Sequence, residues 1–201
     1  MPKTNKNTAT HQSTDFLTEA CWFEIKKLVN EFYMDVLRSL SMDRLKNMNS
    51  NIFYSALVGK ASQQSRLERT IVTKLGSYAP RFFMVWFKNA SMLDPPFDFK
   101  GEIHGRTLYV KVVSSDKTFN SVEKKEVESQ SNSYPDPVIL TLQGSYFKPI
   151  RIGKAMWLSA PSSWKIVGGT GAYTIFIRIV SQEANKYREE IWRLLLPNKS
   201  S

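Results

Sequence analysis

From Phe97 to Ser115, apolar and polar residues alternate on both sides of the dipeptide His104-Gly105. A period of two on either side of a short turn predicts a β-hairpin, in which every second side chain faces the same way. Asp98, Lys100 and Glu102 then share one face of the first strand, and Tyr109, Lys111 and Val113 share one face of the second. With His104 and Gly105 as the two turn residues, Ile103 pairs with Arg106, and stepping back along both strands brings Asp98 opposite Lys111. Directly opposed residues of an antiparallel pair lie on one face, about 5 Å apart at Cβ. A three-residue turn shifts that pairing by one position. An ordinary cross-strand ion pair uses the same two residue types, so the pairing alone does not define a site.

The flanking segments set this hairpin in a larger frame. Apolar residues from Phe16 to Leu37 recur at three- and four-residue spacing, which predicts a helix from a cap at Thr14 or Asp15 to about Leu40. A short helical piece follows over Met42 to Met48, broken by Asn47, Asn49 and Asn51. Ser62 to Ser77 predicts a second helix, capped by Ser62 or Ser65, with Leu67, Ile71, Val72 and Leu75 on one stripe and Gly76 as a stop signal. The aromatic run Arg81 to Lys88 is strand-like, and Asp94-Pro95-Pro96 is a break. Beyond the hairpin, Ser121 to Gln130 predicts a solvated helix and Val138 to Leu142 a central strand covered on both faces. Ala155 to Leu158 and Tyr173 to Val180 are expected as further strands, and Glu183 to Leu195 as a closing helix. Residues 1–13 have no hydrophobic period and are expected to form a flexible polar tail, leaving 14–201 as a single domain. The expected class is α/β, with a mixed central β-sheet flanked by helices.

Composition narrows the chemistry. Lys and Arg number 28 against 18 Asp and Glu, a formal charge of +10, which favours a polyanionic partner. The single cysteine, Cys21, excludes an internal disulfide and a cysteine-built zinc site, and its apolar neighbours suit a structural thiol. With only His11 and His104, a histidine-rich metal site is excluded too. No apolar run is long enough to span a membrane and no signal-peptide pattern opens the chain, so a cytoplasmic protein with no membrane partner is expected. Gly168-Gly169-Thr170-Gly171 lacks the Gly-Lys-Ser/Thr ending of a phosphate-binding loop, so no nucleotide cofactor is expected.

Phosphodiester hydrolysis calls for carboxylates that hold Mg²⁺ and a cation beside the attacking water or the scissile phosphate. Asp98, Glu68 and Lys111 are one set able to supply them. Glu68 falls on or beside the buried stripe of the second helix, where a carboxylate is costly unless paired or metal-bound. Pairing with Arg69 or Lys74 at the stripe's edge is the plainer explanation of the same residue. The arrangement resembles the PD-(D/E)XK nuclease superfamily, which includes many type II restriction endonucleases. Three segments carry the resemblance: Ser65 to Val72 on the helix, Pro95-Pro96-Phe97-Asp98 opening the hairpin, and Leu108 to Ser115 on its second strand.

In that family the second strand bears an acid, any residue and a lysine. If Lys111 takes the lysine position, Tyr109 replaces the acid and Glu68 must provide the second carboxylate. If Val113 takes it, Lys111 stands where the acid belongs and the site binds without cutting. The first alignment is preferred, because it keeps two metal ligands and a lysine together. The resemblance then implies a restriction-endonuclease-like fold and a Mg²⁺-dependent endonuclease acting on double-stranded DNA as a homodimer, a restriction enzyme of a restriction-modification pair. Asp98 and Glu68 would hold the metal, with Lys111 as the third catalytic group. A degenerate DNA-binding relative, a repair or junction nuclease, and a basic scaffold protein are the alternatives. Ser114, Ser115, Lys117, Lys124 and Lys125 follow the hairpin directly, and Arg151, Lys154 and Lys165 lie in a later basic and aromatic stretch. All eight are expected to contact nucleic acid.

Overall fold

In a computed structural model, which describes residues 8–47 and 52–195, the hairpin forms as its sequence predicts. His104 and Gly105 adopt φ of 51° and 74°, the two left-handed residues that a type I′ turn requires. Strand β2 (Phe99–Ile103) therefore pairs with β3 (Arg106–Ser115) in the expected register, from Ile103↔Arg106 to Phe99↔Val110. Strand β1 (Lys88–Met92) runs antiparallel along the outer side of β2. On the other side of β3 lies β4 (Pro137–Gln143), parallel to it and reached through helix α3 (Ser121–Gln130) and a short 3-10 turn. Strand β6 (Ala155–Leu158) runs parallel to β4, and β5 (Ile150–Ile152) closes the far edge antiparallel to β6. The result is a six-stranded mixed sheet of order β1-β2-β3-β4-β6-β5. Mixed α/β architecture is thus what the chain adopts.

Alternation along the strands divides the core into two layers. Val110 and Val112 of β3, with Val138, Leu140 and Leu142 of β4, face helices α1 (Thr8–Asn47), α2 (Ile52–Met84), α4 (Ala160–Gly168) and α5 (Ala172–Leu195). Val113 and Ile139, with Ala155 and Trp157 of β6, face the other way and are covered by Phe97, Phe119 and Val127 of α3. The β4 strand is buried from Pro137 to Leu142, as expected for a strand covered on both faces.

Several elements differ from expectation. Arg81 to Met84 continues α2, burying Phe82 and Phe83 among Tyr78, Ala79 and the first core layer, and the strand begins only at Lys88. Tyr173 to Val180 belongs to α5 and not to a strand. Its β-branched residues favour a sheet, yet Ala172 and Phe176, four apart, bury one helical face while Ile175 and Ile177 remain exposed. The expected tail also shortens, because α1 starts at Thr8, while residues 1–7 lie outside the described residues. Helix α2 begins at Ile52, upstream of the expected caps Ser62 and Ser65, whose side chains lie outside the described residues.

Gly101 locks the hairpin to the helix end before it. A Cβ at that position would sit 2.7 Å from Phe87 Cβ, next to the backbone of a buried residue that cannot swing aside. Gly101→Ala is expected to destabilise the fold by about 1–3 kcal/mol in a denaturant titration. A loss below a few tenths would mean that the contact is not made.

Candidate functional site

The site grows from the point where β2 leaves β3. Their ladder ends at Phe99↔Val110, while β3 runs on to Ser115, so its outer edge is free of β2 from Lys111 onward. The backbone of Asp98 is still held on both sides, donating to Val110 O at 2.8 Å and accepting from Leu93 N at 2.9 Å. Its carboxylate then fills the gap: Oδ2 accepts from Val112 N, and Oδ1 lies 3.3 Å from Lys111 Nζ. The side chains of Asp98 and Lys111 keep only 22% and 18% of their exposure, so solvent screens this pair less than a surface ion pair. Burial pushes the Asp98 carboxyl above the ordinary range, against the lowering effect of Lys111 and of the Val112 amide.

A second carboxylate acts on Asp98, and it is not the one the sequence singled out. Glu123, half-buried on the first turn of α3, adds to the upward shift of Asp98 by repulsion. Its position is fixed by a capping box. Asn120 accepts from Val122 N and Glu123 N, while Glu123 Oε2 takes the Asn120 backbone and side-chain amides at 3.2 and 2.8 Å. The spacing Asn120-x-x-Glu123 is legible in the sequence as a helix start. That its charge reaches Asp98 depends on how α3 lies across the sheet, which no local pattern encodes.

Glu68 is exposed on α2 and is not among the groups that act on Asp98. Its neighbours Leu67 and Ile71 pack against the first core layer, whereas Lys111 shares its face of β3 with Val113 of the second. The structure thus brings Asp98 and Lys111 together as expected and leaves Glu68 outside the pair, with the sheet between the two core layers. Among the described residues, no three His, Cys, Asp or Glu side chains form a metal cage. Mg²⁺ does not require one, since it keeps several waters and takes one or two carboxylates together with substrate phosphate. The Asp98 carboxylate is one candidate for that smaller demand, and Glu123, whose charge acts on it, is a second.

The eight residues expected to contact nucleic acid fall into separate places. Ser114, Ser115 and Lys117 sit where β3 ends, and Ser114 Oγ and Ser115 N bond to Thr118 Oγ1 at 2.9 and 3.0 Å in a tight turn. Lys124 and Lys125 follow on α3, the first half-buried and the second exposed. Arg151 is exposed on edge strand β5, and Lys154 Nζ donates to Tyr134 O at 2.8 Å. Lys165 adjoins Ile166, whose carbonyl lies 2.8 Å from His104 Nε2 at the hairpin turn. Ten residues of β3, about 33 Å, separate that turn from Ser115, so Lys165 does not join the residues at the strand's other end. The two tryptophans of that basic and aromatic stretch, Trp157 and Trp164, are both buried in the core.

A cavity of about 590 Å³ opens at the ends of β3 and β4 on the first-layer side, walled by Phe32, Tyr33, Phe82, Tyr173 and Phe176. Neither Asp98 nor Lys111 lines it, and its charged lining residues are Asp116 and Lys117. The pair of Asp98 and Lys111 lies on the other face of the sheet from this cavity. No described helix is long and apolar enough to cross a membrane. Compared with models of known protein families the chain matches none, and no protein of curated function matches it either.

Proposed function

We propose that the protein is a Mg²⁺-dependent endonuclease that hydrolyses phosphodiester bonds of duplex DNA, in the manner of a type II restriction enzyme. The observation that carries this reading is the half-buried Asp98, held by Lys111 and the Val112 amide where two strands part. The formal charge of +10 supports a polyanionic substrate. The order of elements supports it as well: a helix, a hairpin opened by Pro-Pro-Phe-Asp, then a helix leading to a parallel strand, as in the superfamily the sequence resembles.

Asp98 and Glu123 are the residues that would hold the metal. Bound there, the ion would act as a Lewis acid on a phosphoryl oxygen and make water a better nucleophile at neutral pH. The Val112 amide fixes Asp98 Oδ2, so the carboxylate is oriented before any ligand arrives. Lys111, already drawn to that carboxylate, is the group placed to neutralise charge that builds on the phosphate and to orient water. A homodimer would match the two-fold symmetry of a duplex target.

A second reading, DNA binding without cleavage, has its own support. Lys111 stands directly opposite Asp98, where the superfamily has an acid, and Val113, two residues on, is apolar and only 4% exposed. Incubation with supercoiled plasmid separates the two. The expected result is nicking and linearisation with Mg²⁺, none with a chelator, and a loss of about a hundredfold or more in Glu123→Gln and Lys111→Ala. Discrete fragments from a long duplex are expected for a site-specific enzyme. A wild-type protein that binds DNA tightly but cuts none of a broad panel with Mg²⁺ would establish the second reading.

A further inference from the structure

Lys124 has a seat that its neighbours lack. Its ammonium lies 4.8 Å from the ring centroid of Trp157 and 5.5 Å from that of Phe119. The two rings pack edge to face at 5.2 Å, Phe147 supports Trp157 at 4.9 Å, and Trp157 Nε1 donates to the buried Thr141 hydroxyl at 3.0 Å. A rigid aromatic corner thus restrains a side chain that would otherwise sample many rotamers. Among the described residues Lys124 makes no ion pair, whereas Lys27, Lys111 and Lys186 each meet a carboxylate. A half-buried cation held by ring faces alone keeps its charge available to an anion that arrives later.

Its place on the sheet gives that anion a position. Lys111, Ile139 and Trp157 are register partners across β3, β4 and β6, so Trp157 stands two strand spacings, about 10 Å, from Lys111 on the same face. Between them stands Ile139, apolar and buried, so this row of the sheet offers no other cation. We propose that Lys124 is a phosphate clamp, gripping a backbone phosphate beside the one that would lie at Asp98 and Lys111. This rests on the DNA reading above and adds to it a residue that positions the strand.

Binding of an intact duplex, without metal, tests it across a range of salt concentrations. Wild type is expected to show a steep linear fall of log affinity with log salt. Lys124→Gln should weaken binding about tenfold near 0.1 M salt and reduce the slope by about one. Lys124→Arg should restore most of the affinity, and Lys125→Gln, at the exposed neighbour, should change it less. Steep wild-type binding with an unaltered slope in Lys124→Gln would reduce Lys124 to a prop for α3, visible as lost thermal stability, and overturn the proposal alone. Weak, salt-insensitive wild-type binding would overturn the DNA reading and the clamp together.

Discussion

Asp98→Asn is expected to lower DNA cleavage by about a thousandfold or more while leaving the folded protein as stable as the wild type, or more so, at neutral pH. The first half follows from the loss of a charged ligand at the centre of the site. The second follows from the direction of the Asp98 shift, which burial dominates and which lies above the ordinary carboxylate value. A carboxyl with a raised folded-state pKa binds its proton more tightly in the folded chain than in the unfolded one. Its contribution to stability is therefore greatest below the ordinary value and is lost as pH rises through the raised one. Asparagine mimics the protonated form at every pH, so the variant should lack that part of the wild-type pH dependence. Urea titrations of both proteins between pH 3 and 8 would show it. A neutral-pH loss above about 1 kcal/mol would instead mark Asp98 and Lys111 as an ordinary structural pair.

The largest stability effect is expected at Trp164→Ala. Trp164 is fully buried, stacks on Phe176 at 4.3 Å, meets Phe83 at 5.0 Å and lies parallel to Trp22 at 6.0 Å. Its Nε1 also donates to Leu142 O at 2.8 Å, tying α4 to the end of β4. Truncation leaves a large cavity between two helices and the sheet and strips a buried carbonyl of its partner. The expected loss is about 3–5 kcal/mol, with a fall in Tm of roughly 10 °C for a chain of this size. Trp164→Phe should recover part of the packing but not the hydrogen bond, and should fall between the two. A loss below about 1 kcal/mol would show that this layer is not packed as described.

How far the sequence reveals the fold depends on the range of each signal. The hairpin was legible because a turn dipeptide and a two-residue period both act locally, and together they fixed its register. The run from Arg81 to Phe87 was not, since an almost wholly apolar stretch carries no contrast by which a helix can be told from a strand. Tyr173 to Val180 departs from its local pattern for a related reason. Its isoleucines and valine suit a strand, but packing against α1 decides the outcome. At the site, Asp98 and Lys111 lie on neighbouring strands of one hairpin, so their meeting followed from counting residues. Glu123 lies on a separate element, and its part depends on the path of α3 across the sheet. The place of Glu68 on a helical stripe says on which side of α2 it lies but not which face of the sheet α2 covers.

Both borders of the sheet discourage intermolecular strand addition. Strand β1 has five residues with an irregular register between Lys88 and Ser91, and β5 has three, preceded by Lys148-Pro149 and carrying Arg151. Short length, a bulge, a proline and outward charges each spoil the template that a further strand would need. Two molecules of this protein would therefore meet through helical or loop surfaces, and crowding them should not promote the edge-to-edge polymerisation to which open sheets are prone.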